Sequence, residues 1–317
     1  LSSARKVSSR HARLMAERLL EFEHAVDIAA DRSAIDAAIG RLCDSFPPMP
    51  SRLMEAMRYS MRSPGKRLRG ILCCASYRAA GGGGDLSGLA AAVEMLHAYS
   101  LAHDDLPCMD DDDMRRGRAT THRVCGVPAT VVAGVAMIPL AARAAADAVA
   151  RLHGGSTRLA PVVAALLQAA GASGMIGGQL QDLIAENMPA DSLEKLERIH
   201  RAKTGALIAA SARVGGIAAG ADTAAVNALA SFGSDLGLAF QIVDDVLDVT
   251  SSSATLGKTA GRDVELGKST YPALLGVDGA MARAVGLARQ GCNTLNEHNL
   301  LSRELRHLAD LVITRTH

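Results

Sequence analysis

The chain has 317 residues, of which 34 are basic and 33 acidic, so its formal net charge is +1. This balance excludes a nucleic-acid binder that works through bulk basicity. Apolar residues make up 49% of the chain, which excludes disorder. Aromatic residues make up 3% and prolines number only 10, so an all-β sandwich with its frequent turn signals is not favoured. The length suits either about two domains or one large helical domain.

The predicted elements form one helical series along the chain. Residues 1–45 are predicted to form a polar N-terminal helical extension, which the prolines of 46–50 end. Alternating strand patterns hardly appear after this break, so we predict an all-α domain over 46–317. Helical apolar spacing recurs, between short Gly-rich loops, at 51–62, 66–80, 86–105, 128–152, 158–185, 191–219, 222–250, 270–289 and 300–314.

The six cysteines show neither disulfide-framework nor zinc-site spacing. With no signal-peptide pattern in the sequence, this indicates reduced thiols and a cytoplasmic location. No stretch of about 18 uncharged residues is judged hydrophobic enough for a membrane span. The stretch 124–142 comes nearest, but it contains two glycines and two prolines. We therefore expect no stable membrane insertion.

Two acidic clusters indicate chemistry. Residues 104–113 contain six carboxylates and residues 244–248 contain three, and each cluster ends a strongly apolar helix. A solvated face usually explains a charge run, but it does not explain this placement. Asp244 and Asp248 lie four residues apart on one helical face, where like charges repel, so we expect a divalent cation between them. Oxygen ligands without histidine or cysteine favour Mg²⁺.

Periodicity leaves the partner of Asp104 open. Asp110 lies six residues away, about 240° around an ideal helix, so Asp111 would share the face better. However, Pro107 has no N–H and distorts the turn that contains it. This distortion would bring Asp110 round to Asp104, so both alternatives stand.

Cationic residues accompany both acidic clusters. One set directly follows the first cluster, and another begins a helix after Pro64, where backbone N–H groups and cations can jointly hold phosphate. Four such sets in a nearly neutral protein imply two phosphorylated ligands. The sets are 65–69, 115–118, 200–205, and the pair Lys258 and Lys268.

At these residues the chain resembles the trans-polyprenyl diphosphate synthase family, and most of all its bacterial farnesyl diphosphate synthases. The resemblance implies an isoprenoid-synthase helical bundle around a central active-site cavity. It also implies head-to-tail condensation of isopentenyl diphosphate with dimethylallyl or geranyl diphosphate, about three Mg²⁺ ions per site with Mn²⁺ as a substitute, and a homodimer. The matching motifs are 65–69, 94–97, 103–117, 177–179 with Asp182, 203–205, 240–248, 256–258 and 267–272.

The resemblance also implies roles for individual residues. The Mg²⁺ ligands would be Asp104, Asp110 and Asp244, supported by Asp105 and Asp248. Isopentenyl diphosphate would bind Lys66, Arg69, His97 and Arg116. The allylic diphosphate would bind Arg115, Lys203, Thr204, Gln241, Lys258 and Lys268. Catalysis would involve Asp104, Asp105, Asp110, Lys203, Thr204, Gln241 and Asp244, with the released diphosphate accepting the proton.

Product length in such a cavity depends on the residues one turn before the first acidic cluster. Ser100 lies four residues before Asp104, and Tyr99 lies one position further back. A bulky aromatic at Tyr99 is similar to farnesyl synthases, so we predict a C15 product.

Two of the matched features also have a structural interpretation. A lone helical histidine such as His97 is more often structural than functional, although its position two turns before Asp104 on the same face favours function. The glycines of 177–179 are equally typical of close helix packing.

Other functions remain open at this point. A geranylgeranyl or longer-chain synthase, or a terpene cyclase, would share the fold, although the cations at 66–69 and Arg116 are not expected in a cyclase. A non-catalytic regulatory subunit of a prenyl synthase would lack an aspartate in a motif, and both motifs are intact. Two positions depart from the family pattern. Val135 replaces an acidic residue, and Gly70 replaces the usual proline after Arg69.

Overall fold

A computed structural model describes residues 28–185, 192–250 and 269–315. Within them the chain is almost entirely helical, with one short antiparallel hairpin of β1 (Met114–Arg115) and β2 (Arg118–Ala119). This confirms the all-α prediction. The helices are α1 (28–44), α2 (Ser51–Met61), α3 (Leu68–Ala79), α4 (Ser87–Asp104), α5 (Thr121–Cys125), α6 (Val127–Ala150), α7 (Leu159–Ala170), α8 (Met175–Ala185), α9 (Leu193–His200), α10 (Ala206–Ala219), α11 (Thr223–Thr250), α12 (Tyr271–Glu297) and α13 (Arg303–Thr314).

Helix α10 packs against α3, α7 and α11, and α11 packs in turn against α12. Small residues set how closely these helices approach. A Cβ placed on Gly215 of α10 would lie 2.4 Å from the carbonyl oxygen of Cys73 in α3. A Cβ on Gly237 of α11 would lie 2.8 Å from the Cα of Gly205, just before α10. The glycine- and alanine-rich composition therefore permits a dense helical core with few aromatic side chains.

Most predicted helices appear within a few residues of their expected bounds, and three differ. The predicted segment 191–219 is two helices, α9 and α10, joined by the turn Arg201–Gly205. The predicted segment 158–185 is two helices, because the backbone becomes extended at Gly171 (φ −86°, ψ −163°). The predicted segment 270–289 continues to Glu297. The break expected at 46–50 is confirmed, since α1 ends at residue 44 and α2 begins at Ser51.

The described part of the predicted N-terminal extension, helix α1, belongs to the core. Ile35, Ile39 and Cys43 are all buried. Asp31 of α1 pairs at 2.6 Å with Arg78 of α3, which also pairs at 3.0 Å with Glu304 of α13. Residues 1–27 lie outside the described residues, so a domain boundary after residue 45 stays a prediction.

In the part of the chain that the structure describes, three helical stretches are long and apolar enough to cross a membrane, judged by length and composition alone. This corrects the sequence expectation that no stretch would be. The stretch in α11 is 67% buried inside the protein, compared with 39% for α6 and 33% for Gly155–Ala185. The apolar residues of α11 are therefore used mainly in the core, whereas α6 keeps an exposed apolar face.

Candidate active site

The end of α4 shows how the first acidic cluster is arranged. The helix stops at Asp104, and the turn around Pro107 folds the chain back, so that the N–H of Asp110 donates to the carbonyl oxygen of Asp104 at 2.9 Å. Asp104 and Asp110 then line the same cavity, whereas Asp111 adopts a left-handed backbone (φ 51°) and does not line it. The structure therefore places Asp110, and not Asp111, beside Asp104 in the cavity lining.

The cavity occupies about 590 Å³ between α4, α8, the turn before α10, and α11. It collects carboxylates and cations from segments that are far apart in sequence. The predicted site residues that line it are Arg69, His97, Tyr99, Ser100, Asp104, Asp110, Arg115, Arg116, Lys203, Thr204, Gln241 and Asp244. Lys258 and Lys268 lie outside the described residues.

One wall carries the predicted isopentenyl diphosphate residues. The Nε2 atom of His97 lies 3.2 Å from Nη1 of Arg69 and 3.5 Å from Nη2 of Arg116. Desolvation and the charges of these two arginines hold the pKa of His97 well below its ordinary value. A neutral imidazole thus accepts from the guanidinium groups. Desolvation lowers the pKa of Lys66. The charge of Asp244 raises this pKa and the charge of Arg116 lowers it, so Lys66 lies near both side chains.

A second part of the cavity lining is built on a π-helical turn, Arg201–Gly205, which joins α9 to α10. Such turns reorient side chains within an otherwise regular helix. Lys203 pairs with Asp182 of α8 at 2.6 Å. The Thr204 hydroxyl donates to Oε1 of Gln241 in α11 at 2.9 Å. A Cβ on Gly178 would lie 2.2 Å from the backbone nitrogen of Lys203, so only glycine allows α8 to approach this turn so closely. This supports the interpretation of Gly178 as a helix-packing residue.

Two carboxylates of the predicted metal set lie away from this cavity. Asp105 is 3% exposed and accepts from Nε of Arg115 at 2.5 Å. Its pKa rises to about 6, because burial outweighs the charge and hydrogen bond of Arg115. Asp105 therefore fixes the orientation of the Arg115 side chain without lining the cavity itself. Asp248 is likewise buried and is not part of the cavity lining.

Sequence reasoning gave no role to Arg315, which follows α13. Its side chain is 8% exposed, and its Nη2 lies 2.7 Å from Oδ1 of Asp244. The guanidinium also stacks 3.7 Å from the ring centre of Phe240 and donates to the Phe240 carbonyl oxygen. An arginine outside any motif gives no sequence signal. Asp182, which lies three residues after Gln179 on the same helical face, belongs to a matched motif but was given no role.

The carboxylates of the cavity are suited to a hard cation whose remaining ligands come from phosphate and water. Within the described residues, no three Asp, Glu, His or Cys side chains converge closely enough to hold a metal ion by themselves. Mg²⁺ commonly binds one or two carboxylates and completes its shell with phosphate and water. Desolvation raises the pKa of Asp104 and the charge of Asp110 raises it further, so a cation here would relieve unfavourable charge. Asp104, Asp110 and Asp244 therefore fit Mg²⁺ bound together with phosphates.

A family model described as Polyprenyl synthetase matches residues 50–291. The chain belongs to the polyprenyl synthetase family. Family membership accounts for the two acidic clusters, for the cationic residues between them, and for their meeting in one cavity. Prenyl chain elongation is the activity of this family.

Relatives share this activity but differ in product. The chain is 44% identical over 283 residues to the farnesyl diphosphate synthase of Escherichia coli (strain K12), covering 88% of this chain and 94% of that one. It is 45% identical over 258 residues to a chloroplastic geranylfarnesyl diphosphate synthase of Leucosceptrum canum, covering 80% and 70%. The solved geranyltransferase of Helicobacter pylori, complexed with magnesium and isoprenyl diphosphate, has a TM-score of 0.76 and 29% identity, covering 90% and 96%.

Asp245 should be a structural residue of the site. Its Oδ1 accepts from Nε2 of Gln241 at 3.0 Å and its Oδ2 accepts from the backbone N–H of Tyr271 at 3.1 Å. Asp245→Ala leaves both donors without this acceptor, so we expect a loss of about 2–4 kcal/mol in the free energy of unfolding, measured with urea. Asp147→Ala, which removes an exposed pair with Arg143, should change stability by at most about 0.5 kcal/mol. Equal effects would contradict the structural role.

Proposed function

We propose that the protein is a Mg²⁺-dependent farnesyl diphosphate synthase. It condenses isopentenyl diphosphate head-to-tail with dimethylallyl or geranyl diphosphate and releases diphosphate. The observation that carries the proposal is the single cavity in which Asp104, Asp110 and Asp244 meet two separate groups of cations. Two cationic groups supply two diphosphate subsites, which is what a condensation of two diphosphate esters requires.

The first subsite takes isopentenyl diphosphate. Arg69 and Arg116 present guanidinium groups to one region of the cavity, and the neutral His97 between them accepts hydrogen bonds rather than adding charge. Guanidinium groups hold phosphate oxygens in pairs, so they orient the homoallylic double bond as well as bind its diphosphate. Lys66 adds a further positive charge beside Arg116.

The second subsite takes the allylic diphosphate. Arg115 is held by Asp105, and Lys203 is held by Asp182, so both cations are fixed before substrate enters. When bound at Asp104, Asp110 and Asp244, Mg²⁺ would supply positive charge that favours departure of the diphosphate. We assign Lys258 and Lys268 to this subsite from the family pattern.

The centre of the cavity protects an allylic cation. Thr204 and Gln241 offer oxygen atoms beside the reacting carbon, and their mutual hydrogen bond keeps them in place. Apolar side chains exclude water that would quench the cation, and those that line the cavity include Met109, Met175, Ile176, Leu180 and Phe240. The released diphosphate then accepts the proton from the condensation product.

The proposed reaction has a direct test. Purified protein with Mg²⁺, labelled isopentenyl diphosphate and a C5 or C10 allylic diphosphate should form labelled farnesyl diphosphate, resolved by chromatography of the dephosphorylated product. Removing the metal with EDTA should abolish product formation, and added Mg²⁺ should restore it. Failure to form product from any allylic donor, with Mg²⁺ or Mn²⁺, would refute the proposal and favour a regulatory subunit.

Tyr99 supports the C15 product. It is buried at the cavity wall one turn before the acidic cluster, and its hydroxyl donates to the carbonyl oxygen of Ala170 at 3.1 Å. Its ring packs edge-on against His103, and burial raises its pKa to about 12, so the hydroxyl stays neutral. Ser100, whose hydroxyl donates to the His97 carbonyl, lines the cavity beside it. An anchored ring in this position blocks further growth of the chain.

Tyr99→Ala should therefore lengthen the product. Removing the ring opens space beneath the site, so we expect C20 and longer diphosphates, measured as the product distribution at saturating isopentenyl diphosphate. Tyr99→Phe keeps the ring and loses only the hydrogen bond, and it should still stop at C15. An unchanged C15 product from Tyr99→Ala would assign the length limit to another residue.

The departure at Val135 does not argue for an inactive subunit. This side chain is 59% exposed and does not line the cavity. It belongs to an apolar stripe on the outer side of α6, together with Val131 and Val132. Exposed apolar stripes of this kind are typical of interfaces between subunits. We propose a homodimer formed through this face of α6.

The dimer can be tested with one charge. Val132→Glu places a carboxylate in the stripe, so we expect the mass in sedimentation equilibrium to fall from two chains towards one at micromolar concentration. Leu311→Glu introduces the same charge on another exposed apolar side chain, in α13, and should leave the mass unchanged. A monomeric wild-type protein would contradict the proposal.

All six cysteines are free thiols, and Cys73 and Cys74 are buried side by side in α3. Burial raises the pKa of both thiols, which keeps them protonated and unreactive. Free thiols suit a reducing compartment. We propose a cytoplasmic location.

A further inference from the structure

His103 forms part of the cavity wall next to Tyr99. It lies on α4, four residues after Tyr99 and therefore on the same helical face, and both side chains line the cavity. The two rings meet edge-on, with 5.8 Å between their centres and 87° between their planes. Aromatic rings favour this geometry, in which each restricts the movement of the other. The ring that we propose to limit product length is therefore one of a pair.

The His103 ring packs against α6, the helix that lies along α4. Its Nε2 lies 3.1 Å from the backbone carbonyl oxygen of Val131. Because a carbonyl oxygen can only accept a hydrogen bond, the imidazole carries a proton on Nε2 and donates it. This hydrogen bond fixes the position of the ring against α6.

Gly134 of α6 leaves the space that the His103 ring occupies. A Cβ on Gly134 would lie 2.0 Å from Nε2 of His103 and 2.5 Å from its Cδ2, much closer than van der Waals contact. Any other residue at this position would therefore displace the imidazole. Glycine destabilises the interior of a helix relative to alanine, so a glycine inside α6 needs a packing reason, and the ring supplies one.

Tyr99 is held from two sides as a result. Its hydroxyl donates to the carbonyl oxygen of Ala170, at the end of α7, at 3.1 Å. Its ring meets the His103 ring, which α6 holds in turn. Side chains that are closely packed in this way give little when a ligand presses on them. Three helices thus fix two adjacent rings in the wall of the cavity.

We propose that His103, packed against Val131 and Gly134 of α6, is a second determinant of product length: its ring and that of Tyr99 together stop the growing chain. This inference rests on the proposed function, because it concerns the length of the proposed product. It adds a contact that no spacing in the sequence reveals, since His103 and Gly134 belong to different helices.

His103→Ala removes one ring and leaves Tyr99 in place. We expect the share of products longer than C15 to rise about tenfold, the lower end of the discrimination that one small apolar group in a pocket produces. The dephosphorylated products are resolved by chromatography after reaction at saturating isopentenyl diphosphate. A ratio of products does not depend on the amount of active enzyme. An unchanged product distribution would overturn the inference.

Two further variants serve as controls. His103→Phe keeps a ring beside Tyr99 and loses only the donor, so it should still stop at C15. Lengthening by His103→Phe to the same extent as by His103→Ala would overturn the role of the ring. His153→Ala, at an exposed histidine that does not line the cavity, should give the wild-type distribution.

Gly134→Ala tests the contact with α6. The added methyl group pushes the imidazole away from α6 and into the cavity, so we expect growth to stop earlier and the share of C10 product to rise. In a His103→Ala background the same methyl group meets no ring, so Gly134→Ala should cause no further change. An unchanged distribution from Gly134→Ala alone, or an effect that persists without the ring, would contradict the proposed contact.

Calorimetric binding of farnesyl and geranylgeranyl diphosphates, with Mg²⁺ present, separates this inference from the proposed function. Wild type should prefer farnesyl diphosphate, and His103→Ala should lose most of that preference. If wild type forms C15 product and His103→Ala keeps both the product and the preference, the inference fails and the proposed function stands. If wild type forms no product or a longer one, the proposed function fails. A reduced preference in His103→Ala would then still support the role of the ring, and an unreduced preference would refute it.

Discussion

Like charges gathered in a poorly hydrated cavity are the constraint on which the rest of the site depends. Desolvation raises the pKa of Asp104 and lowers that of Arg69, so each loses part of the preference for its charged form. The charge of Glu94 opposes this shift in the pKa of Arg69. Arg315 pairs with Asp244 at 2.7 Å. Two diphosphates bound with Mg²⁺ would supply the remaining neutralisation. The charge arrangement therefore favours polyanionic ligands that bring cations, which agrees with the family activity.

The charges meet because regular helices are interrupted where the site needs it. The helix that carries Asp104 ends in a turn that returns Asp110 to it. The π-helical turn before α10 directs Lys203 and Thr204 towards α8 and α11. Arg116 adopts a left-handed backbone (φ 53°), which is uncommon for a residue with a side chain, and donates to the Pro64 carbonyl. Such conformations persist only where the surrounding structure fixes them, and they concentrate at functional sites.

Local sequence patterns predicted the features that depend on neighbouring residues in the chain, namely the helices, their breaks and the charged motifs. Apolar periodicity predicted the helices, and the prolines of 46–50 predicted the break. The acidic and basic motifs predicted most of the charged residues that line the cavity. Periodicity alone could not choose between Asp110 and Asp111, because a turn after a helix has no fixed period. The pairs of Asp105 with Arg115 and of Asp244 with Arg315 depend on tertiary packing. The expectation that no stretch is apolar enough to cross a membrane was wrong on length and composition alone. What composition does not reveal is that two thirds of the apolar window of α11 is buried in the core.

Two departures from the family pattern look equivalent in the sequence and have different physical consequences. Val135 lies on an exposed apolar stripe, where an acidic side chain or a valine can face solvent or another subunit without reaching the cavity. Gly70 lies against Glu94, where exchanging proline for glycine adds a hydrogen-bond donor next to Arg69. The first change alters a surface, and the second alters a hydrogen bond between α3 and α4. A buried donor beside a buried carboxylate has an energetic effect that an exposed side chain lacks, so Gly70 is the departure that bears on the packing of these two helices.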